Sequence, residues 1–289
     1  MTDPNPGPAI ARALLSKDLR TLRDERPAAA VAKAMHWSLS KLNRIENGKV
    51  TIQPVETEAL ARFYGVAADV ELRRLVRLSV ASRQRMWWRD EHFDEDFTNF
   101  IAFEHDASHL YGYQATCVPP LLQTPEYALA VTASVLRRPT RDRQVRNIVD
   151  VRLKRQATLR ERLGGDFAPR VSQVVDEAVL LRPVGGTDVM AGQLEHLAEM
   201  AAQPGVRVVV LPLRFGVHPG LGGTFELLTF AEDADLDVVF IETPATDFLL
   251  TDSEDTGTFR EIVDELLATD PAGDSLHRGL TTAKAALRP

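Results

Sequence analysis

Between His36 and Lys49 the chain reads HWSLSKLNRIENGK, in which the hydrogen-bonding side chains of Ser38, Ser40, Asn43, Arg44 and Asn47 are interleaved with the cations Lys41 and Lys49. A guanidinium can donate to two acceptors on one guanine edge, amides and hydroxyls can read other base edges, and ammonium groups attract phosphate. The chemistry these residues offer is recognition of a polyanion, not the making or breaking of bonds.

The other reactive side chains assemble no comparable set. Glu104 falls inside an apolar stripe formed by Phe97, Phe100, Ile101, Ala107, Ser108 and Tyr111 on a helix expected over 97–111, so it must be paired, protonated or part of a site. On the same helix His105 and His109 stand at i and i+4, a spacing that can hold a metal, but no third ligand or HExxH order accompanies them, and no metal or cofactor is expected. The single cysteine, Cys117, has no evident catalytic partner and can form no intrachain disulfide. His218 lies in the glycine-rich FGVHPGLGGTF, which lacks the Gly-x-x-x-x-Gly-Lys-Ser/Thr order of a phosphate cradle. Glu104 and His218 are therefore carried only as candidate contacts for an effector or partner, and no catalytic residue is assigned.

The 36–49 segment needs a helix to present it. At 100° per residue Leu39, Leu42 and Ile45 share one side, while Ser40 and Arg44 point the other way. Ser38 suits an N-cap and Gly48 a C′ position, which gives a short helix over 39–47 with one anchored and one free face. A second short helix, 28–34, precedes it across a turn at 35–37, and helices are expected at 10–26, 54–64 and 69–87. Two helices so joined fit the plan that places the second in the DNA major groove.

Charge supports a divided molecule. The net −7 conceals 16 Lys+Arg against 10 Asp+Glu in residues 1–90, 10 of each in 91–163, and 8 against 21 in 164–289. A basic head on an acidic body suits a polyanion partner at the head alone. At 289 residues and 44% hydrophobic, the chain can fill two cores. It has no secretion-type start and no apolar run of the roughly 18 residues that span a bilayer, so a cytoplasmic protein without membrane partners is expected.

The divisions expected are a disordered 1–9, a helical head over 10–81, a junction over 82–96 marked by Met86, Trp87 and Trp88, and a body over 97–289. In the body, RVSQVVDEAVL, VRVVVLPL, TFELLTF and DVVFIET read as strands, with helices at 141–163, 188–202, 253–268 and 275–286. The fold class is multi-domain: an all-α helix-turn-helix domain followed by an α+β domain.

The string S-K-x-x-R-I-E-N-G, preceded by LRTLRDER and followed by PVETEALARFYGV, resembles the lambda-repressor-like, Xre-type helix-turn-helix family. The resemblance implies that Glu46 turns back to pair with Arg23 of the first helix, and that Ala28 stands where the family has a phosphate-contacting glutamine. Further on, VPPLLQTPEYA, DEAVLLRPVGGTDVM, QLEHLAEMA and HPGLGGTFELLTF are similar to the C-terminal domain of a group of actinobacterial Xre-type regulators, some described as antitoxin-like and some as developmental. It implies a sequence-specific transcriptional regulator that binds double-stranded DNA as a homodimer, through Ser38, Ser40, Lys41, Asn43, Arg44, Asn47 and Lys49, with a body that binds a small co-encoded partner protein or an effector. The alternative is an antitoxin-type protein that neutralises such a partner and autoregulates its operon. With no acid, base and nucleophile gathered anywhere, an enzyme is not expected.

Overall fold

The computed structural model describes residues 6–90, 95–231, 236–243 and 246–287. They fall into two compact units, Met1–Asp106 and Ala107–Pro289. Among the described residues no helix is long and apolar enough to cross a membrane.

The first unit is helical: α1 (Pro8–Arg23), α2 (Ala28–Ala34), α3 (Leu39–Glu46), α4 (Pro54–Phe63), α5 (Asp69–Ser82), a 3-10 turn at Trp87–Asp90 and α6 (Glu95–Asp106). Leu15, Leu19, Val31, Leu42, Ile45, Ile52, Leu60 and Leu75 form its core. The stretch 1–5, for which disorder is expected, lies outside the described residues, but helix α1 already begins at Pro8 and not at Ile10. Its first-turn amides, which no local side chain caps, donate to the Asp106 carboxylate: Ala9 N at 2.8 Å and Ile10 N at 3.1 Å. Helix α5 stops at Ser82, short of 87, and the Ser79 and Ser82 hydroxyls there donate to the carbonyls of Ile52 and Ser79. Trp88 is buried and packs edge-on against Trp87 and beside His105.

Helix α6 ends at Asp106, so the helix expected over 97–111 is five residues too long. The residues that follow form strand β1 (His109–Gln114), which opens the second unit. Its ladder partners decide the matter, because tertiary pairing on both edges overrides a helix-like stripe. Gly112 belongs to that outcome: a Cβ there would lie 2.3 Å from Oε1 of Gln173 on the neighbouring strand. His105 and His109 are consequently on different elements and share no helical face. His105 Nδ1 pairs with the Asp106 carboxylate at 2.7 Å, and His109 stacks on Tyr111 with Nε2 2.9 Å from the Ser172 hydroxyl.

The second unit then continues with α7 (Pro125–Leu136), α8 (Arg143–Leu163), β2 (Arg170–Asp176), α9 (Glu177–Leu181), α10 (Thr187–Ala201), β3 (Val206–Leu211), β4 (Phe225–Thr229), β5 (Val238–Glu242), β6 (Asp247–Leu250), α11 (Ser253–Ala268) and α12 (Ser275–Ala286). One sheet of order β3-β2-β1-β4-β5-β6 is parallel across β3, β2 and β1 and antiparallel from β1 onward. The helical connections α7–α8 and α9–α10 are what parallel neighbours require. Val209 and Leu211 of β3 pack with Val263 and Leu266 of α11, whereas Val210 between them meets Gly279 of α12, so α11 and α12 cover opposite faces. The segment RVSQVVDEAVL is not one strand: β2 ends at Asp176, whose carboxylate caps α9 by accepting from Ala178 N at 2.8 Å.

His109 gives this unit a pH dependence. Burial first, and then the nearby guanidinium groups of Arg170 and Arg260, push its pKa from 6.5 to about 4. Between those values the unfolded chain takes up a proton that the folded chain refuses, so stability falls as pH drops through that window. The calorimetric midpoint of the second unit is expected to fall between pH 7 and pH 5, and His109→Gln to flatten that fall; equal pH slopes in the two proteins would remove His109 as the cause.

Candidate nucleic-acid interface

The candidate surface is built by α2, a tight turn and α3. Helix α2 is anchored by Val31 and Ala32, and Trp37 N donates to the Ala32 carbonyl at 2.8 Å as the chain reverses through His36, which takes φ +54°. Ser38 then caps α3 by accepting from Lys41 N at 3.1 Å. At the other end Gly48, at φ +64°, supplies the left-handed residue that stops the helix, and Lys49 N closes it on the Arg44 carbonyl at 2.8 Å.

Several contacts hold α3 in place. Leu42, Ile45 and Glu46 are buried, and the Ser16 hydroxyl of α1 donates to the Ile45 carbonyl at 2.8 Å. The structure brings Arg23 and Glu46 together, with Arg23 Nε donating to Glu46 Oε1 at 2.8 Å and the Tyr64 hydroxyl at 3.5 Å from the same oxygen. Ser16 and Tyr64 are supports that the sequence reading missed, since neither belongs to a local pattern.

Outward, Ser38, Ser40, Asn43, Arg44, Asn47 and Lys49 are exposed. Arg44 has no side-chain hydrogen bond or ion pair among the described residues. Asn47 Nδ2 donates to the Asn43 carbonyl at 2.8 Å, so part of its donor capacity closes the helix end. Leu39, assigned by its angle to the anchored side, is instead 45% exposed, while the partly buried Trp37 packs against the core. That places an apolar side chain on the outer side of α3.

Lys41 differs most from the expectation of a free, phosphate-seeking cation. Its Nζ donates to Glu56 Oε1 at 2.5 Å and sits 4.3 Å from the centre of the Trp37 ring. Glu56 Oε2 also accepts from Gln53 N at 3.2 Å, completing a capping box at the start of α4. The Lys41 ammonium and this backbone hydrogen bond hold the Glu56 carboxyl below the ordinary carboxylate range, against the opposing effect of its burial. Glutamine can keep the capping box while removing the charge. Glu56→Gln is thus expected to release Lys41 toward phosphate, tighten DNA binding, and steepen the dependence of log K on log salt by up to about 0.9. An unchanged salt slope in filter binding would show that Lys41 stays on Trp37 or never meets phosphate.

The remaining candidates lie elsewhere. Glu104 is buried on α6 of the first unit, and His218 is buried in the second, edge-on to Tyr113, with Nδ1 lacking a hydrogen-bond partner among the described residues. Burial raises the Cys117 thiol pKa, which disfavours a reactive thiolate. Among the described residues no group of three or more His, Cys, Asp or Glu side chains could hold a metal ion.

A family model described as a domain of unknown function (DUF5753) matches residues 97–277. The chain belongs to the DUF5753 family. A second model, described as a helix-turn-helix domain, matches residues 14–75, which span α2, the turn and α3. The head is therefore a helix-turn-helix domain, as in DNA-binding regulators, and the DUF5753 match covers the mixed sheet. That match begins at 97, inside α6, although α6 belongs to the first compact unit through Asp106 and the amides of α1. No curated protein and no solved structure matches the chain.

Proposed function

We propose that this chain is a sequence-specific transcriptional regulator of the Xre, lambda-repressor-like type, akin to the actinobacterial group, and that it binds duplex DNA through α3. The observation that carries this reading is the exposed face of a helix capped at both ends, where Arg44 has no partner among the described residues and stands beside Ser40 and Asn43. Such a helix reads only a few base pairs, so a homodimer on two half-sites supplies the rest of the contact. Ser38, Asn47 and Lys49 border the face and contribute chiefly to backbone contacts, with Lys41 joining them on release from Glu56.

The second unit binds a small co-encoded protein or another effector and thereby shifts DNA affinity. Among the described residues His218 Nδ1 and the hydroxyl of the adjacent Tyr113 have no hydrogen-bond partner, which supports His218 as an effector contact. Glu104 is the corresponding candidate on α6. Selection of bound fragments from a random duplex library by the purified chain tests the reading: a two-fold symmetric motif is expected, altered in occupancy when the co-encoded protein is added. Recovery of unrelated sequences with no common motif would refute sequence-specific binding.

A further inference from the structure

In the second unit one guanidinium is partly buried with no carboxylate to answer it. Arg152 of α8 reaches α7 and the turn before it, where its Nη1 donates to Gln123 Oε1 at 2.7 Å and to the Thr132 hydroxyl at 3.3 Å. Both Nη1 protons are thereby used, and both acceptors are neutral. Nε is out of contact with solvent and has no hydrogen-bond partner, and Nη2 likewise has none among the described residues. Arg23 and Arg260 meet the carboxylates of Glu46 and Asp237, whereas Arg152 forms no ion pair among the described residues.

The surroundings hold this edge in place. Gln123 is buried, and its Nε2 donates to the Val118 carbonyl at 2.7 Å, which keeps Oε1 turned toward Arg152. Gln156 ties the same turn to α8, its Nε2 donating to the carbonyls of Pro120 and Gln123 at 2.9 Å each. The guanidinium is thus held along Nη1, and its Nε–Nη2 edge presents two donors side by side, the fork that matches two oxygens of a carboxylate or phosphate. Burial first, and then the guanidinium of Arg155 three residues along α8, lower the Arg152 pKa, the mark of a charge without compensation. The exposed Glu242 opposes that shift through its charge, without an ion pair. A trapped water would satisfy a donor but not the charge. Arg152 is not sealed in, so an anion reaches the edge from solvent.

We propose that the Nε–Nη2 edge of Arg152 binds the carboxylate or phosphate group of a small molecule. The proposal rests on the reading that the second unit takes an effector, and it gives that effector a charge. Acetate and inorganic phosphate, each titrated into the full chain against sodium chloride at equal ionic strength, test it, and the arm that responds names the group. In scanning calorimetry the transition that tryptophan fluorescence does not follow, that of the second unit, is expected to rise saturably, by about 3 °C at ten times the dissociation constant. Arg152→Met removes an uncompensated cation, so the variant should unfold close to the wild type in chloride yet lose the anion response. Arg152→Lys keeps the charge without the fork and should bind at least several-fold more weakly, while Arg214→Met, at an exposed cation, should respond as the wild type does. No saturable rise with either anion in the wild type overturns the proposal, and so does an equal rise in Arg152→Met, which is general salt stabilisation. If Arg152→Met unfolds too early to be read, Arg152→Lys decides, and a response equal to that of the wild type overturns the proposal. Because the midpoints are read without DNA, an anion that binds but leaves DNA affinity unchanged refutes the effector reading and keeps the site, whereas absent binding leaves the DNA selection intact.

Discussion

Arg23→Ala is expected to destabilise the helical head by about 3 kcal/mol, more than the removal of its partner. The asymmetry follows from burial: the Glu46 side chain is 5% exposed and that of Arg23 24%. Without Arg23, the carboxylate remains in the core, with the Tyr64 hydroxyl 3.5 Å from it. Without Glu46, the guanidinium still donates to the Arg26 carbonyl at 2.8 Å and can turn toward water, so Glu46→Ala should cost less. All three tryptophans, Trp37, Trp87 and Trp88, belong to the first unit, so their fluorescence during urea unfolding reports on the head alone. A double-mutant cycle should show a coupling on the order of 1 kcal/mol or more, and strictly additive losses would mean that the pair does not act as one.

Arg44→Ala is expected to cost roughly 1–3 kcal/mol on the best DNA site and to relax one position of the selected motif, with little change on unrelated sequences. A guanidinium that binds both acceptors of a guanine loses that discrimination entirely when truncated, and Arg44→Lys should not restore it, because an ammonium cannot make the planar two-point contact. Fluorescence anisotropy on the selected site and on scrambled DNA measures both terms. Equal losses on the two would reassign Arg44 to the phosphate backbone, and no loss on either would remove it from the interface.

Local chemistry made parts of this molecule legible in the sequence. Helix α2 occupies the expected residues because Pro27 opens it and the turn at His36 closes it, and α3 carries its own cap in Ser38 and its own stop in Gly48. Helices α11 and α12 likewise start and end where their flanking residues direct. What escaped depends on distant partners. Strand β1 continues an apolar stripe at helical spacing, and only pairing with β2 and β4 makes it a strand. Lys41 looks free until the α3–α4 connection delivers Glu56 to it. The angle of Leu39 suggested burial, but its side chain lies outside the core, on which Trp37 packs. The glycines around His218 suggested a ligand loop, whereas the outward turn of Leu213, Phe215, Val217 and Leu221 could not be read from their order.

The sheet order also dictates when each unit can form as the chain leaves the ribosome. In the head, the Arg74 to Asp18 contact closes only 56 positions, so its helices can pack while the rest is still being made. The second unit begins with β1, yet one edge of that strand waits for β4: Ser108 bonds to the Thr229 carbonyl across 121 positions. Until that residue emerges, β1 can pair only with β2, and its other side presents bare amides and carbonyls. A nascent chain halted between the two therefore carries a finished DNA-binding head tethered to an open sheet edge, and the tendency of such an edge to recruit foreign strands makes the body, not the head, the vulnerable half during synthesis.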